Sequence, residues 1–179
     1  MALGSLAQLA ARSGIAASAF IRLAQPLAAA IRLLRGARQV HVLGLRRSFA
    51  VAAYLAYALA RVGRPVVHLS GLGGAIYEQA HAAQKQDVLI AISFPPYAAD
   101  TLAVCEQVQA AGARRLVITD SLLSPVAQSA TLVLQVNDAE LLGFRSLTSA
   151  MCLAQTLVMG LALERHGKKT TAPLQDIDC

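Results

Sequence analysis

Two rhythms of apolar and polar positions divide this chain. From residue 38 onward, short unbroken apolar runs rich in β-branched residues alternate with longer stretches whose apolar side chains recur at helical spacing. "QVHVLG" at 39–44 predicts a first strand ending on Gly44, and Ser48 to Val62 an apolar helix closed by Gly63 and Pro65. "PVVHLS" at 65–70 is the second strand, followed by a glycine-rich turn, "GLGG" at 71–74, and a helix from about Ala75 to Ala83. "DVLIAIS" at 87–93 is the third strand. It shows no polar alternation, as expected where helices cover both faces of a parallel sheet. A helix over Asp100 to Ala111, a strand "RLVITD" at 115–120, a short helix opened by Pro125, a fifth strand "ATLVLQV" at 130–136 and a long final helix from Phe144 to His166 complete the series. This alternation defines the α/β class, with an open, doubly wound sheet of five parallel strands between helical layers. Ligands of such sheets sit beyond the carboxyl ends of the strands, here the loops that begin at Gly44, Ser70, Ser93 and Asp120.

The first 36 residues carry no strand signal. Leu6, Leu9 and Ala10 share one helical face, Ser13-Gly14 makes a turn, and Phe20, Leu23 and Ala24 continue at helical spacing. Two short helices are expected, with a third from Leu27 to Leu34 started by Pro26 and ended by Gly36.

Composition agrees with one cored domain: 179 residues, 56% of them hydrophobic. Cys105, Cys152 and Cys179 are odd in number and scattered, which fits neither a zinc site nor a secreted disulfide framework and points to a reducing, cytoplasmic setting. The longest unbroken apolar run, Phe49 to Ala60, would reach roughly 18 Å as a helix, short of a bilayer core of about 30 Å. Polar residues interrupt 147–163, and no signal-peptide order is present, so no membrane partner is expected. Charge is uneven. Residues 1–77 hold nine arginines and no acidic residue, whereas 78–179 hold seven basic and ten acidic ones. That asymmetry implies an anionic partner for the front of the molecule, or a solvated arginine-rich face.

Four ordered blocks, "VHVLGLRRSFAVAAYLAYAL", "ISFPPYAADTL", "ITDSLLSPVAQSA" and "GFRSLTSAMCLAQTLVMG", closely resemble the sugar isomerase, or SIS, domain of RpiR-type bacterial transcriptional regulators. The resemblance covers about residues 38–166. It implies a three-layer αβα sandwich with a five-stranded parallel sheet, Rossmann-like, preceded by short N-terminal helices. It also implies binding of phosphorylated sugars or related acidic metabolites, a homodimer or dimer of dimers, and no cofactor. Domain boundaries follow: 1–36 resembles part of a helix-turn-helix, 37–168 is the SIS domain, and 169–179 is expected as a flexible tail.

In that family a Ser-x-Ser-Gly-x-Thr type loop after strand three surrounds a phosphate with hydroxyls and amides. Here Ser93 matches the first serine, while Pro95, Pro96 and Ala98 stand where the second serine, the glycine and the threonine are usual. Each lost hydrogen bond to a charged ligand is worth roughly 1.5–3 kcal/mol, which argues against a standard cradle at this loop. Tyr97 and Thr101 remain as binding candidates, with Asp100 expected to cap the next helix. "GLRRS" at 44–48 resembles the family's Gly-x-x-x-Ser phosphate turn. Gly44, Ser48 and the guanidinium forks of Arg46 and Arg47 therefore form the leading anion site. Its structural alternative is a serine that caps the helix beside two solvated arginines. Ser70 in the glycine-rich turn, and Asp120 and Ser121 beyond strand four, are further ligand-binding candidates. Arg145, Ser146 and Thr148 open the final helix, where the resemblance implies polar groups brought to the site and Glu140 as a further candidate; the small apolar residues of that helix also suit a dimer interface.

Residues 3–27 resemble the second and third helices of the family's DNA-binding unit, leaving Ser18 and Arg22 as its polar contacts. Ala16, Ala17 and Ala19 replace expected polar side chains, and the unit's first helix has no counterpart in the chain. The segment is then expected to pack on the SIS domain or on a partner subunit. Isomerisation of a sugar phosphate, the alternative function, would need a base such as Glu78, His81 or Glu140. A dimerisation module without ligand is the remaining alternative. No catalytic or metal constellation, nucleotide loop or nucleophile elbow is present.

Overall fold

A computed structural model describes the backbone of residues 17–138, 140–141 and 144–167 and the side chains of 24–138 and 146–164. The segments expected as a first helix-turn (1–16) and as a tail (169–179) lie outside the described residues, as do the side chains of Ser18, Arg22, Glu140 and Arg145.

Five parallel strands form the sheet: β1 (Val40–Gly44), β2 (Val66–Leu69), β3 (Val88–Ile92), β4 (Arg114–Thr119) and β5 (Leu132–Gln135), in the order β2-β1-β3-β4-β5. Among the described residues, five α-helices surround it: α1 (Ala17–Arg35), α2 (Phe49–Arg61), α3 (Ile76–His81), α4 (Ala99–Ala110) and α5 (Thr148–Gly167). Period-2 geometry sorts the apolar strands between two layers although both faces are covered. Val88, Ile90 and Ile92 face one way, into a core with Leu27, Ile31 and Leu34 of α1, Leu55 and Leu59 of α2, and Leu153 and Leu157 of α5. Leu89 and Ala91 face the other way, onto Ile76 and Ala80 of α3 and Val104 and Val108 of α4. The result is a three-layer αβα sandwich.

Two expectations are corrected. Pro26 does not begin a helix but sits inside α1, which runs unbroken from residue 17 to 35. Proline weakens a helix interior, yet Leu27, Ala30, Ile31 and Leu34 on the turns after it are buried, and tertiary packing outweighs the local defect. The final helix begins at Thr148, four residues later than expected. Phe144–Arg145 instead pairs antiparallel with Glu140–Leu141 as β7 and β6. Asp138 fixes the helix start: its carboxylate accepts the Ser149 N–H at 2.9 Å and the Ala150 N–H at 3.4 Å. No helix among the described residues is long and apolar enough to cross a membrane.

Candidate functional site

The switch in the sheet falls at β1 and β3, which are neighbours while their chains leave toward opposite layers. At the end of β1, a Cβ on Gly44 would lie 2.6 Å from the Ser48 carbonyl oxygen and 2.8 Å from Ala52 Cβ. Glycine thus allows the start of α2 to close over the strand. Leu45 is extended, Arg46 takes φ 53°, and a single 3-10 turn spans Arg46–Ser48. A left-handed backbone at an arginine is uncommon and costs free energy. The turn also satisfies the entrance of α2, because the Phe49 N–H reaches the Arg46 carbonyl.

Ser48 therefore does not cap α2. Its backbone is already helical, its hydroxyl makes no capping bond, and the residue is 5% exposed. The hydroxyl instead borders a cleft of about 230 Å³ lined by Leu45, Arg46, Arg47 and Ser48 from the first loop and by Ser93, Phe94, Pro95 and Pro96 from the third. Ala98, Thr101 and Leu147 complete the lining. Arg47 ties the two loops together, donating from Nη2 to the Pro95 carbonyl at 3.1 Å. Ser93 is buried, with its N–H bonded to the Ile118 carbonyl, and Thr101 is buried one turn into α4.

The hydroxyls of Ser48, Ser93 and Thr101 make no hydrogen bond with the described residues, and Arg46 forms no ion pair with them. These three residues are largely buried but line one cleft, where each hydroxyl is available to donate to an external acceptor. Helix α4 adds to it, since Ala98 at its N-cap provides no side-chain acceptor. Asp100, expected as a cap there, accepts the Tyr77 hydroxyl at 2.7 Å. No carboxylate or imidazole belongs to the described lining, so nothing in it opposes an anion.

Arg46, Arg47, Ser48, Ser93 and Thr101 thus meet at one cleft, and Gly44 shapes its floor. Tyr97, Asp120, Ser70 and Ser121 do not line it. The Tyr97 hydroxyl donates to Asp120 Oδ1 at 2.8 Å, and burial, then this bond, raise the phenol above its ordinary pKa and keep it a neutral donor. The Thr119 hydroxyl shares the same carboxylate oxygen. Ser70 and Ser121 accept the N–H groups of Leu72 and Leu123 and close local turns. Glu78 and His81 stand exposed on α3 and do not line the cleft. His41 is wholly buried and donates from Nε2 to Asp87, whereas burial lowers the pKa of His68, whose ring lies 5.1 Å from that of Phe49. Sequence reading missed Leu45 and Leu147 as wall residues, because only the approach of the first loop to the segment before α5 brings them together.

This geometry is that of an α/β sandwich with an anion-suited cleft at its switch point. The family model for the SIS domain matches residues 33–164, and the chain belongs to that family. A curated relative, the bifunctional protein glk of Burkholderia orbicola, is 32% identical over 151 residues, covering 80% of this chain. The chain spans only 23% of that relative's length. Among solved structures, the sugar isomerase domain of an RpiR transcription factor from Sphaerobacter thermophilus superposes with a TM-score of 0.76 at 24% identity, covering 82% of each chain. The Vibrio vulnificus NanR protein complexed with ManNAc-6P gives 0.72 at 21% identity, covering 94% of this chain and 64% of that one.

Proposed function

We propose that this chain is the ligand-sensing SIS domain of an RpiR-type regulator, in which a phosphosugar or related acidic metabolite enters the β1–β3 cleft and biases a homodimer that controls DNA binding. The observation that carries the reading is the set of three cleft-lining hydroxyl residues, Ser48, Ser93 and Thr101, whose hydroxyls make no hydrogen bond with the described residues, beside Arg46 and Arg47. Guanidinium forks and O–H donors suit a phosphate, and they replace the donors that Pro95 and Pro96 lack. A similar fold holds ManNAc-6P in the NanR structure, which supports a small phosphorylated ligand. Binding without turnover is favoured by the described lining, which offers no carboxylate or imidazole to move a proton. Ligand and DNA affinities are then reciprocally coupled through the dimer.

The test is thermal stabilisation by a panel of sugar phosphates, compared between the wild type and the double variant Arg46→Ala/Ser48→Ala. Stabilisation that disappears in a variant with an unchanged far-UV spectrum supports the assignment. Equal stabilisation of both proteins would move the ligand elsewhere, and a flat response in the wild type would favour a dimerisation module.

A further inference from the structure

The loop after β3, residues 93–98, supplies one wall of the cleft and is held at both ends by backbone bonds. The Ser93 N–H donates to the Ile118 carbonyl at 3.1 Å, and the Ala98 carbonyl accepts the N–H groups of Thr101 at 3.0 Å and Leu102 at 3.3 Å. The middle of the loop cannot be braced by its own amides in the same way, because Pro95 and Pro96 have no N–H. Two side-chain bonds hold it instead, one to each neighbouring loop. On the β1 side, Arg47 Nη2 donates to the Pro95 carbonyl at 3.1 Å. On the β4 side, the Tyr97 hydroxyl donates to Asp120 Oδ1 at 2.8 Å. Since β3 lies between β1 and β4 in the sheet, the two prolines are suspended between straps that act from opposite sides. Arg47 thus differs from Arg46, which lines the same cleft and makes no hydrogen bond or ion pair with the described residues. Tyr97 does not line the cleft, so its hydroxyl can affect a ligand there only through the loop.

Resting on the sensor reading above, we infer that Arg47 and Tyr97 are positioning residues: they fix the proline wall at the distance from the β1 loop that a bound anion requires, while Arg46 and the hydroxyls of Ser48, Ser93 and Thr101 meet the anion itself. Pre-setting the wall spares the ligand the free energy of ordering it on entry. The two side chains therefore contribute to affinity without touching what is bound.

Two measurements separate the roles: calorimetric titration with inorganic phosphate, and hydrogen exchange of the ligand-free chain read on a peptide spanning 93–102. In Arg47→Ala and in Tyr97→Phe, exchange in that peptide should rise and phosphate binding should weaken by about three- to fivefold. The two changes together should weaken binding by less than the product of the single effects, because a loop freed by one has little left to lose. Arg46→Ala should weaken binding at least as much as either, with exchange in the peptide unchanged. Weaker binding by Arg47→Ala at unchanged exchange, multiplying with the effect of Tyr97→Phe, would make Arg47 a direct ligand contact, overturning the inference and leaving the sensor intact. Phosphate binding by Tyr97→Phe equal to that of the unaltered chain also overturns it. Absence of phosphate binding by the unaltered chain overturns the sensor reading and this inference with it.

Discussion

Arg46 lines the cleft from a backbone at φ 53°, a conformation that glycine adopts without penalty. Arg46→Gly should therefore change stability by less than about 1 kcal/mol, since relieved strain offsets the extra freedom of the unfolded chain. Ligand-induced stabilisation should fall sharply. Loss of fold stability without loss of ligand response would assign Arg46 a structural role. Asp87 presents the opposite case, far from the cleft. Its side chain is fully buried, and Oδ2 accepts from Arg38 at 2.8 Å, from the Gln84 N–H at 2.9 Å and from His41 at 3.1 Å. Burial alone would raise its pKa, but these three donors together hold it below the ordinary 3.8. The ionised form thus stabilises the fold above the unfolded pKa, and that contribution is lost as pH falls through the lower folded value. Asp87→Asn should cost about 1.5–3 kcal/mol in urea unfolding at pH 7, with the gap to wild type closing below the unfolded-state pKa. A gap independent of pH would remove the charge from the argument.

Helices α1 and α2 show how packing settles what local signals leave open. Pro26 invited a helix start, yet α1 passes through it because Leu27, Ala30, Ile31 and Leu34 complete the core against α5 and β5. Arg64 anchors the end of α1, its Nη2 donating to the Leu34 and Ala37 carbonyls. Leu34→Ala should cost about 2–5 kcal/mol and leave a single melting transition. A separate early transition would show α1 to be an independent unit. Gly44 fixes the meeting of β1 and α2 from the other side. Gly44→Ala should destabilise by about 1–3 kcal/mol and weaken ligand response, since a methyl placed there displaces the turn that bears Arg46 and Ser48. The cost is read from the shift in the urea midpoint.

Across the assembled chain, the excess of arginines in residues 1–77 falls largely on α1, the β1 loop and the end of α2. Two of them line the cleft, where the anionic ligand proposed above would meet part of that charge. The helical layer of α2 and α5 carries exposed apolar side chains, Tyr57 at 62%, Met159 at 48% and Leu163 at 47%. On the homodimer reading proposed above, these belong to the face that a second copy covers. Met159→Glu should then shift the mass measured by light scattering from dimer to monomer while the far-UV spectrum holds. A mass unaffected by the change would place the contact elsewhere.

Strand number, parallel class and the loops that gather at the cleft were legible along the chain, because a buried parallel strand must be continuously apolar and each crossover helix must be amphipathic or apolar. The turn that borders the cleft was legible as well, since Gly44, Arg46, Arg47 and Ser48 lie within five residues. Which way each side chain turns was not. Ser48 left a helix cap open as the alternative until its helical backbone excluded it, and Tyr97 and Asp120 looked like ligand contacts and Asp100 like a cap until long-range hydrogen bonds assigned their partners. Those bonds join residues about 23 positions apart or more, and so do the walls formed by Phe94 and Leu147. Local pattern fixes periodicity and turn chemistry, but partner choice depends on distances that exist only after the layers have packed.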